Sequence, residues 1–373
     1  MKKTTFLLLT VFFHLYSFAQ TFKGVIKETG ADTAVPHITI VSDDNTFFVT
    51  SNEKGEVVLP ENILNKKLKI ADYYYEYSEK IFTTSQPFVW ELTPNSETLE
   101  EIVIYENPEI YLDEIIANSI KSFSSNVKLE SYYRENYIEN NQIARFAEGI
   151  LDFYIDNSNN IHQIVKQTRA ESIAEINEFN EILMTSPKEV VGTALRFNVI
   201  RKLIKDKKRY EVYVTAKKVG DRTLHTCYIN SKQKSKKRFL MKGYFTFDEE
   251  RKLILETNYA FDPEKKIHNR PVNMIIGKVE FIDIQFKSKY IVTDAFYYPS
   301  YAEKDIDIIA NSKLGKVKNE RAHNQAYFYI LSADKTTEIP IESKAYNSDN
   351  LYRRGTIYKD EFWKRPEIIN LTE

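Results

Sequence analysis

Cysteine, glycine and proline are scarce in this sequence of 373 residues, and each shortage excludes a class of protein. The single cysteine, Cys227, excludes an internal disulfide framework, a cysteine-based zinc site and an iron–sulfur cluster. Ten glycines and eleven prolines are too few for a collagen-like chain or a Gly/Pro-rich disordered chain. A formal net charge of −1 gives the chain as a whole no basic excess with which to bind nucleic acid.

The sequence signatures of common catalytic and cofactor sites are also missing. There is no HExxH, no GxSxG and no GxG, so a zincin, a nucleophile elbow, a P-loop and a dinucleotide fingerprint are not predicted. The histidines after the first twenty residues do not come in metal-ligand spacing; they are His37, His162, His225, His268 and His323. We therefore predict no catalytic, cofactor-binding or metal-binding residues.

Aromatic residues are abundant, with 25 Tyr and 23 Phe, and such a composition favours β-sheets. We predict a mainly β protein with some α-helix. An N-terminal seven-stranded β-sandwich would be followed by a larger antiparallel curved sheet or open barrel with a few helices. The predicted organisation is a signal peptide at 1–19, the sandwich at 20–104 and a β-rich region at 105–373.

The first residues have the features of a secretory signal. Two lysines precede an apolar stretch that is too short to span a bilayer comfortably, and Ser17 and Ala19 provide the small residues of a cleavage site. Cleavage is expected between Ala19 and Gln20. No later window reaches about 18 apolar residues, the length that predicts a membrane helix. We expect an exported protein in the periplasm or peripheral to the outer membrane.

Residues 21–104 read as short strands separated by turn residues, which is typical of a sandwich. In the turn at 52–55, Gly55 is expected to take a positive φ. Several segments resemble the carboxypeptidase-regulatory-like domain in their order: Gly24–Ile26, Ala34–Ile40, Thr50–Val57, Leu68–Tyr75 and Leu99–Ile104. The resemblance implies a prealbumin-like sandwich, common in Gram-negative envelope proteins, that is an accessory domain and has no peptidase activity. Within it, Tyr73–Tyr75 and Tyr77 are either core and surface residues or an aromatic binding patch, and the former is favoured.

Residues 105–373 combine many strand patterns with three predicted helices, at 108–122, 170–184 and 187–204. The last begins at Ser186-Pro187-Lys188-Glu189, a capping-box pattern. Three segments, Ser131–Glu135, Gly243–Phe247 and Phe362–Trp363, resemble the downstream region of envelope proteins of unknown function with the same N-terminal domain. They are also similar in pattern to lipoprotein-carrier half-barrels.

Three pairs of residues are weak candidates for chemistry. Asp305 and Asp307 share one strand face and could bind a cation or act as acid and base. Glu280 and Asp283 form a similar pair. His225 and Cys227 could form a nucleophile pair, although a buried structural thiol is the favoured interpretation.

Charge is segregated along the chain. Residues 196–242 contain sixteen Lys/Arg and three Asp/Glu, whereas residues 97–185 contain six basic and seventeen acidic residues. The basic region 196–242 could contact an anionic membrane surface, and Arg201–Arg209 and Lys232–Arg238 are its densest parts. Solvation, or pairing with the acidic stretch, is the interpretation that the sequence favours.

These observations favour a non-enzymatic accessory or binding protein of the cell envelope. Its sandwich would contact envelope proteins, for instance by edge-strand addition, and its larger sheet would hold an apolar or amphipathic ligand. The alternatives are a secreted hydrolase with an accessory sandwich and a structural subunit of an outer-membrane assembly. Ionisable side chains that converge in one cleft would count against the non-enzymatic hypothesis.

Overall fold

The computed structural model describes most of the chain after residue 20. The described residues are 21–95, 100–139, 142–158, 160–172, 184–232, 240–262, 271–273, 277–293, 296–313, 318–336, 338–341 and 351–352. The predicted signal peptide and its cleavage site at Ala19 and Gln20 lie outside them.

Seven short strands form two small sheets at the N-terminal end. The strands are β1 (Thr21–Glu28), β2 (Thr39–Ser42), β3 (Phe48–Thr50), β4 (Glu56–Pro60), β5 (Lys67–Ile70), β6 (Glu79–Ile81) and β7 (Phe88–Leu92). One sheet has the order β4-β1-β7 and the other β3-β2-β5-β6. Alternate residues of β1 point inward, and they pack with Leu59, Leu68 and Trp90 in one buried apolar cluster. The predicted sandwich class is confirmed, and Gly55 has the expected positive φ of 70°.

A single open sheet of twelve strands makes up most of the remaining chain. Its strands are β8 (Glu101–Val103), β9 (Val127–Glu139), β10 (Gln142–Ile155), β11 (Ile161–Ser172), β12 (Tyr210–Val219), β13 (Arg222–Ser231), β14 (Met241–Asp248), β15 (Leu253–Phe261), β16 (Val272–Asn273), β17 (Gly277–Val292), β18 (Tyr297–Ser312) and β19 (Glu320–Lys335). Their order is β11-β10-β9-β19-β18-β17-β15-β14-β13-β12-β8, with β16 beside β17, and every pair is antiparallel. The large antiparallel sheet confirms the predicted fold class. It also includes β8, which lies within the range 20–104 predicted for the sandwich but pairs with β12.

Three helices cover one face of the large sheet. They are α1 (Pro108–Ser122), α2 (Pro187–Arg196) and α3 (Asn198–Lys205). α1 has the predicted bounds, and its Leu112, Ile115 and Ile116 are fully buried. The helices and the aromatic and aliphatic side chains of the sheet share one large core. Among the helices in the described ranges, none combines the length and the apolar character needed to cross a bilayer.

Two helix predictions need correction. The helix predicted for 187–204 is broken at Phe197, whose left-handed φ of 45° ends α2 and begins α3. The Ser186 side chain makes no capping hydrogen bond; its carbonyl oxygen accepts the Glu189 N–H instead. The helix predicted for 170–184 is wrong at its start, because Ala170–Ser172 continue β11 by pairing with β10. Residues 173–183 lie outside the described part of the chain.

The N-terminal strands pack on the opposite face of the large sheet. Successive residues of a strand point to opposite faces. Tyr297 stacks on Phe123 beside the helices, whereas Tyr298 contacts Phe48 of β3. Phe48 also makes an edge-to-face contact with Phe296, with ring centroids 5.2 Å apart. The sandwich and the large sheet are therefore joined by an aromatic contact that excludes water.

Candidate functional site

The predicted Cys227–His225 pair does not form a nucleophilic site. Cys227 is 0% exposed, and burial raises the pKa of its thiol. A reactive cysteine needs an accessible thiol with a lowered pKa, so Cys227 is a core residue. The His225 Nδ1 instead lies 2.7 Å from the Tyr105 hydroxyl and 3.6 Å from a Glu249 oxygen.

The tyrosine run does not form an exposed aromatic patch. The hydroxyls of Tyr73 and Tyr74 donate to the Glu256 carboxylate of β15, at 3.4 Å and 3.1 Å. Tyr75 packs against the core of the sandwich, and Tyr77 is exposed beside Glu79. Two of the four tyrosines therefore help to attach the sandwich to the large sheet.

Asp305 and Asp307 do meet further ionisable side chains, in a cleft on the sheet face that carries the sandwich. The cleft has a volume of about 250 Å³, and Ile138, Asp283, Gln285, Asp305, Asp307, Arg321 and His323 line it. Cross-strand neighbours bring these residues together, because β18 pairs with β17 on one side and β19 on the other. Glu280 does not line the cleft.

The charges in this cleft are largely paired with one another. Arg321 donates to both oxygens of Asp307, at 2.6–3.2 Å. His323 Nε2 lies 2.7 Å from the Asp305 carboxylate, and this contact raises the pKa of His323. Within the described residues, no group of three or more His, Cys, Asp or Glu could hold a metal ion. The cleft can hydrogen-bond a polar ligand, but its two central aspartates already have partners, Asp307 in Arg321 and Asp305 in His323.

Sequence reasoning did not find Gln285, Arg321 and His323. The alternation of Arg321, His323 and Gln325 along one strand face was readable, and so was that of Asp305 and Asp307. The sequence does not show that β18 and β19, which are joined through residues 313–319, pair with each other. Without that register, the five ionisable residues of the cleft stay separate.

The densest part of the basic region forms a groove on α3 and the turn that follows it. Asn198, Arg201, Lys202, Lys205, Asp206, Lys207 and Lys208 line this groove, which has a volume of about 960 Å³. On the opposite side of the helix, Ile200, Leu203 and Ile204 are buried. This amphipathic pattern fixes α3 on the protein and turns its basic side chains outward. Lys232 extends the patch, because its Nζ donates to the Lys207 carbonyl at 3.2 Å.

Part of the basic charge pairs with acidic residues of α1, as the sequence analysis favoured. Arg201 binds both oxygens of Asp113, at 2.5 Å and 3.0 Å, and Lys205 lies 3.2 Å from the same carboxylate. Lys207 pairs with Glu109 of α1, and Arg209 pairs with Asp206. These contacts neutralise some of the patch and hold α3 against α1.

Lys202 and Lys208 differ from the other basic residues of the groove in their lack of an acidic partner among the described residues. No carboxylate of the described residues lies within ion-pair distance of either side chain. The groove and its immediate neighbours contain seven basic side chains and three carboxylates. The predicted Lys232–Arg238 segment contributes Lys232; residues 233–239 lie outside the described ranges.

Comparisons with known proteins give no family assignment. No protein-family model matches the sequence, and no curated protein matches it. Among solved structures, lipovitellin aligns over 62% of this chain at 9% identity with a TM-score of 0.28, and the alignment covers 27% of lipovitellin. A LolA superfamily protein from Nitrosomonas europaea aligns over 64% of this chain and 98% of its own, at 8% identity with a TM-score of 0.23. MucB, solved in complex with MucA, aligns over 61% of this chain and 98% of its own, at 8% identity with a TM-score of 0.19.

Proposed function

We propose that this protein is a non-enzymatic, exported accessory protein of the cell envelope that binds an anionic lipid surface through the groove on α3. The single observation that carries the proposal is the convergence of Arg201, Lys202, Lys205, Lys207 and Lys208 on one groove. Phosphate-bearing lipid headgroups are the expected ligands, because they supply many anionic groups in one plane.

The pattern of pairing on α3 suits a surface that meets headgroups. Asp113 and Glu109 orient the side chains at the base of the groove, while Lys202 and Lys208 project without acidic partners. A basic residue near an anionic bilayer contributes about 1 kcal/mol of binding free energy, and salt screens that contribution. The two unpaired lysines together would then supply about 2 kcal/mol, or about a 30-fold difference in binding.

The test is sedimentation of the full protein with vesicles of phosphatidylglycerol and phosphatidylcholine. Lys202→Gln/Lys208→Gln should bind about 30-fold more weakly than the unmodified chain at low salt, and both should be released at high salt. The matched control is Lys23→Gln/Lys54→Gln, which removes two exposed lysines from the sandwich. Equal binding by the two double variants would contradict the proposal, as would equal binding to pure phosphatidylcholine.

The described residues support a headgroup site more strongly than a site for an apolar tail. The helix-covered face of the sheet is filled by its own side chains, including Phe123, Phe197, Tyr290 and Tyr297 in mutual contact. Polar and charged residues line three cavities in the described part of the chain, and Ile138 is the one apolar residue among their lining residues. We therefore assign the headgroup of an amphipathic ligand to α3.

The carboxypeptidase-regulatory-like resemblance remains part of this proposal. Seven strands in two sheets, over residues 21–92, are what such a sandwich requires, and they support an accessory domain within the predicted range 20–104. That domain ends before β8, which pairs with β12 of the large sheet. In this arrangement the sandwich would contact envelope proteins.

A secreted hydrolase is the second candidate, because Asp305, Asp307 and His323 meet in one cleft. The contacts of Asp307 with Arg321 and of Asp305 with His323 favour a structural or binding role over acid–base chemistry. Hydrolysis of a fluorogenic peptide or glycoside that Asp305→Asn abolishes, with Asp43→Asn as the control, would establish the enzyme.

A further inference from the structure

Arg145 is a buried arginine on the helix-covered face of β10. It is 2% exposed, and its strand neighbour on the same face, Ala147, belongs to the main core. An arginine stays protonated even in such a place, because its guanidinium cannot be deprotonated in proteins. Its positive charge must therefore be compensated within the protein or by a ligand.

The guanidinium of Arg145 lacks that compensation. Its Nε and one Nη are buried and have no hydrogen-bond partner. No carboxylate of the described residues lies within ion-pair distance of it. On the opposite face, by contrast, the buried Glu148 carboxylate has an ion-pair partner in Arg169. Two unsatisfied charged donors in one buried side chain are the pattern that a missing anion leaves.

A second polar group without a partner lies in the same region. The hydroxyl of Tyr352 is buried and makes no hydrogen bond. The preceding residue, Leu351, packs against β10, with its Cδ1 3.2 Å from where a Cβ at Gly149 would lie. Burial and the Glu135 carboxylate raise the pKa of the Tyr352 hydroxyl, and the Arg145 charge lowers it. The strand that carries Arg145 and the distant segment at 351–352 therefore meet, and each contributes an unsatisfied donor.

The buried carboxyl group of Glu135, on the neighbouring strand β9, cannot take the role of the anion. Glu135 Oε1 already accepts the Thr185 N–H at 2.6 Å and the Asn324 amide at 2.7 Å. Its Oε2 is 3.4 Å from the Tyr133 hydroxyl. The Glu135 carboxylate is therefore already hydrogen-bonded to Thr185, in the segment before α2, and to Asn324 of β19.

We propose that Arg145 and Tyr352 form a binding site for an oxyanion, either a carboxylate or a phosphate group. The planar fork of the guanidinium matches two oxygens of such a group, and the tyrosine hydroxyl donates a further hydrogen bond. The site lies on β10 and residue 352, so it is separate from the groove on α3 and does not depend on the proposed function.

The test is titration calorimetry and thermal unfolding of the full protein with sodium acetate, sodium phosphate and sodium decanoate. At least one anion should bind saturably and raise Tm, because a ligand that binds the folded state stabilises it. Binding of decanoate alone would identify the ligand as the headgroup of an amphiphile. Binding of phosphate alone would identify it as a phosphate group, and binding of acetate would identify it as a free carboxylate. Each of these results supports the site.

Three variants make the test specific. Arg145→Met should abolish saturable binding, and Tyr352→Phe, which removes one oxygen atom, should weaken it at least tenfold. The controls are Arg321→Met and Tyr297→Phe, which should bind as the unmodified chain does. Should Arg145→Met fail to fold, Tyr352→Phe decides the question. No saturable binding of any of the three anions would overturn the proposal, as would unchanged affinity in Tyr352→Phe.

Discussion

At the scale of single residues, strand patterns in the sequence do not predict which residues contact a buried ionisable side chain. Glu135 is 0% exposed, and burial raises its pKa to about 7 despite hydrogen bonds from Thr185 and Asn324. Alternation along β9 indicates which face Glu135 occupies, but the partner residues come from distant parts of the chain. Alternation along one strand likewise predicted that Asp305 and Asp307 share a face. It did not predict their contact with His323, because His323 lies on another strand.

Glu135 should make folding stability depend on pH. Its pKa is about 7 in the folded state and close to 4.5 in the unfolded chain. Its contribution is therefore fully present below about pH 4.5 and is lost as the pH rises through 7. Glu135→Gln stays neutral, so it should become more stable than the unmodified protein by about 3 kcal/mol above pH 7.

Urea unfolding at pH 5 and pH 8 measures this difference in the free energy of unfolding. Glu76→Gln, at an exposed position, is the control and should show the same pH dependence as the unmodified chain. A difference between Glu135→Gln and the unmodified chain that stays constant with pH would show that the Glu135 carboxyl has an ordinary pKa.

At the scale of elements, local signals predicted α1 and many of the strands, and failed where pairing overrides periodicity. Proline at the first helical position and an apolar stripe gave α1 its predicted bounds. Ala170–Ser172 lie in a helical sequence pattern but belong to β11, because their backbone pairs with that of β10. The break at Phe197 requires a left-handed backbone at a large residue, which no local preference predicts.

Substitution of alanine for two glycines in regular secondary structure should change the stability of the protein in opposite directions. A Cβ at Gly243 would meet the Asn258 carbonyl oxygen and lie 2.5 Å from the Tyr259 Cα, so β14 and β15 would have to separate. Gly243→Ala should cost about 3 kcal/mol of stability. At Gly192 in α2 the closest atom is the Ile161 Cδ1 at 3.6 Å, and Gly192→Ala should stabilise by about 0.5–1 kcal/mol.

Equilibrium denaturation of both variants checks the pair. Gly192→Ala controls for the loss of glycine flexibility in the unfolded chain, which both substitutions share. Tolerance of alanine at Gly243 would mean that the two strands are not in close contact there.

At the scale of the whole molecule, the sandwich and the large sheet meet at a sealed interface. His37 lies against Tyr301 with ring centroids 3.9 Å apart, and burial lowers the pKa of His37 to about 3. Glu53 lies at the rim of this interface, where its carboxylate is 3.8 Å from the His37 Nε2 and its side chain is 35% exposed. Partial burial raises the pKa of Glu53 to about 7. Both shifts favour the uncharged forms, as expected for groups that are partly or wholly removed from water. Sequence patterns predicted both halves but not this contact, since each partner looks like an ordinary strand residue.

The aromatic contact at Phe48 should couple the unfolding of the two halves. Phe48 is 1% exposed between Phe296 and Tyr298, so Phe48→Ala should destabilise by about 3–5 kcal/mol. The unmodified chain should show coincident thermal transitions by circular dichroism and by fluorescence, and the variant should show separate ones. Val89→Ala, at a half-exposed position of β7, is the control. Equal effects of the two substitutions would indicate that the interface does not form.

Hydrogen exchange of the full protein with vesicles tests the proposed membrane contact most directly. Exchange should slow across residues 198–208 when phosphatidylglycerol vesicles are added, and should stay unchanged with phosphatidylcholine vesicles. Protection confined to other segments, or identical protection by both kinds of vesicle, would contradict binding of anionic headgroups at α3.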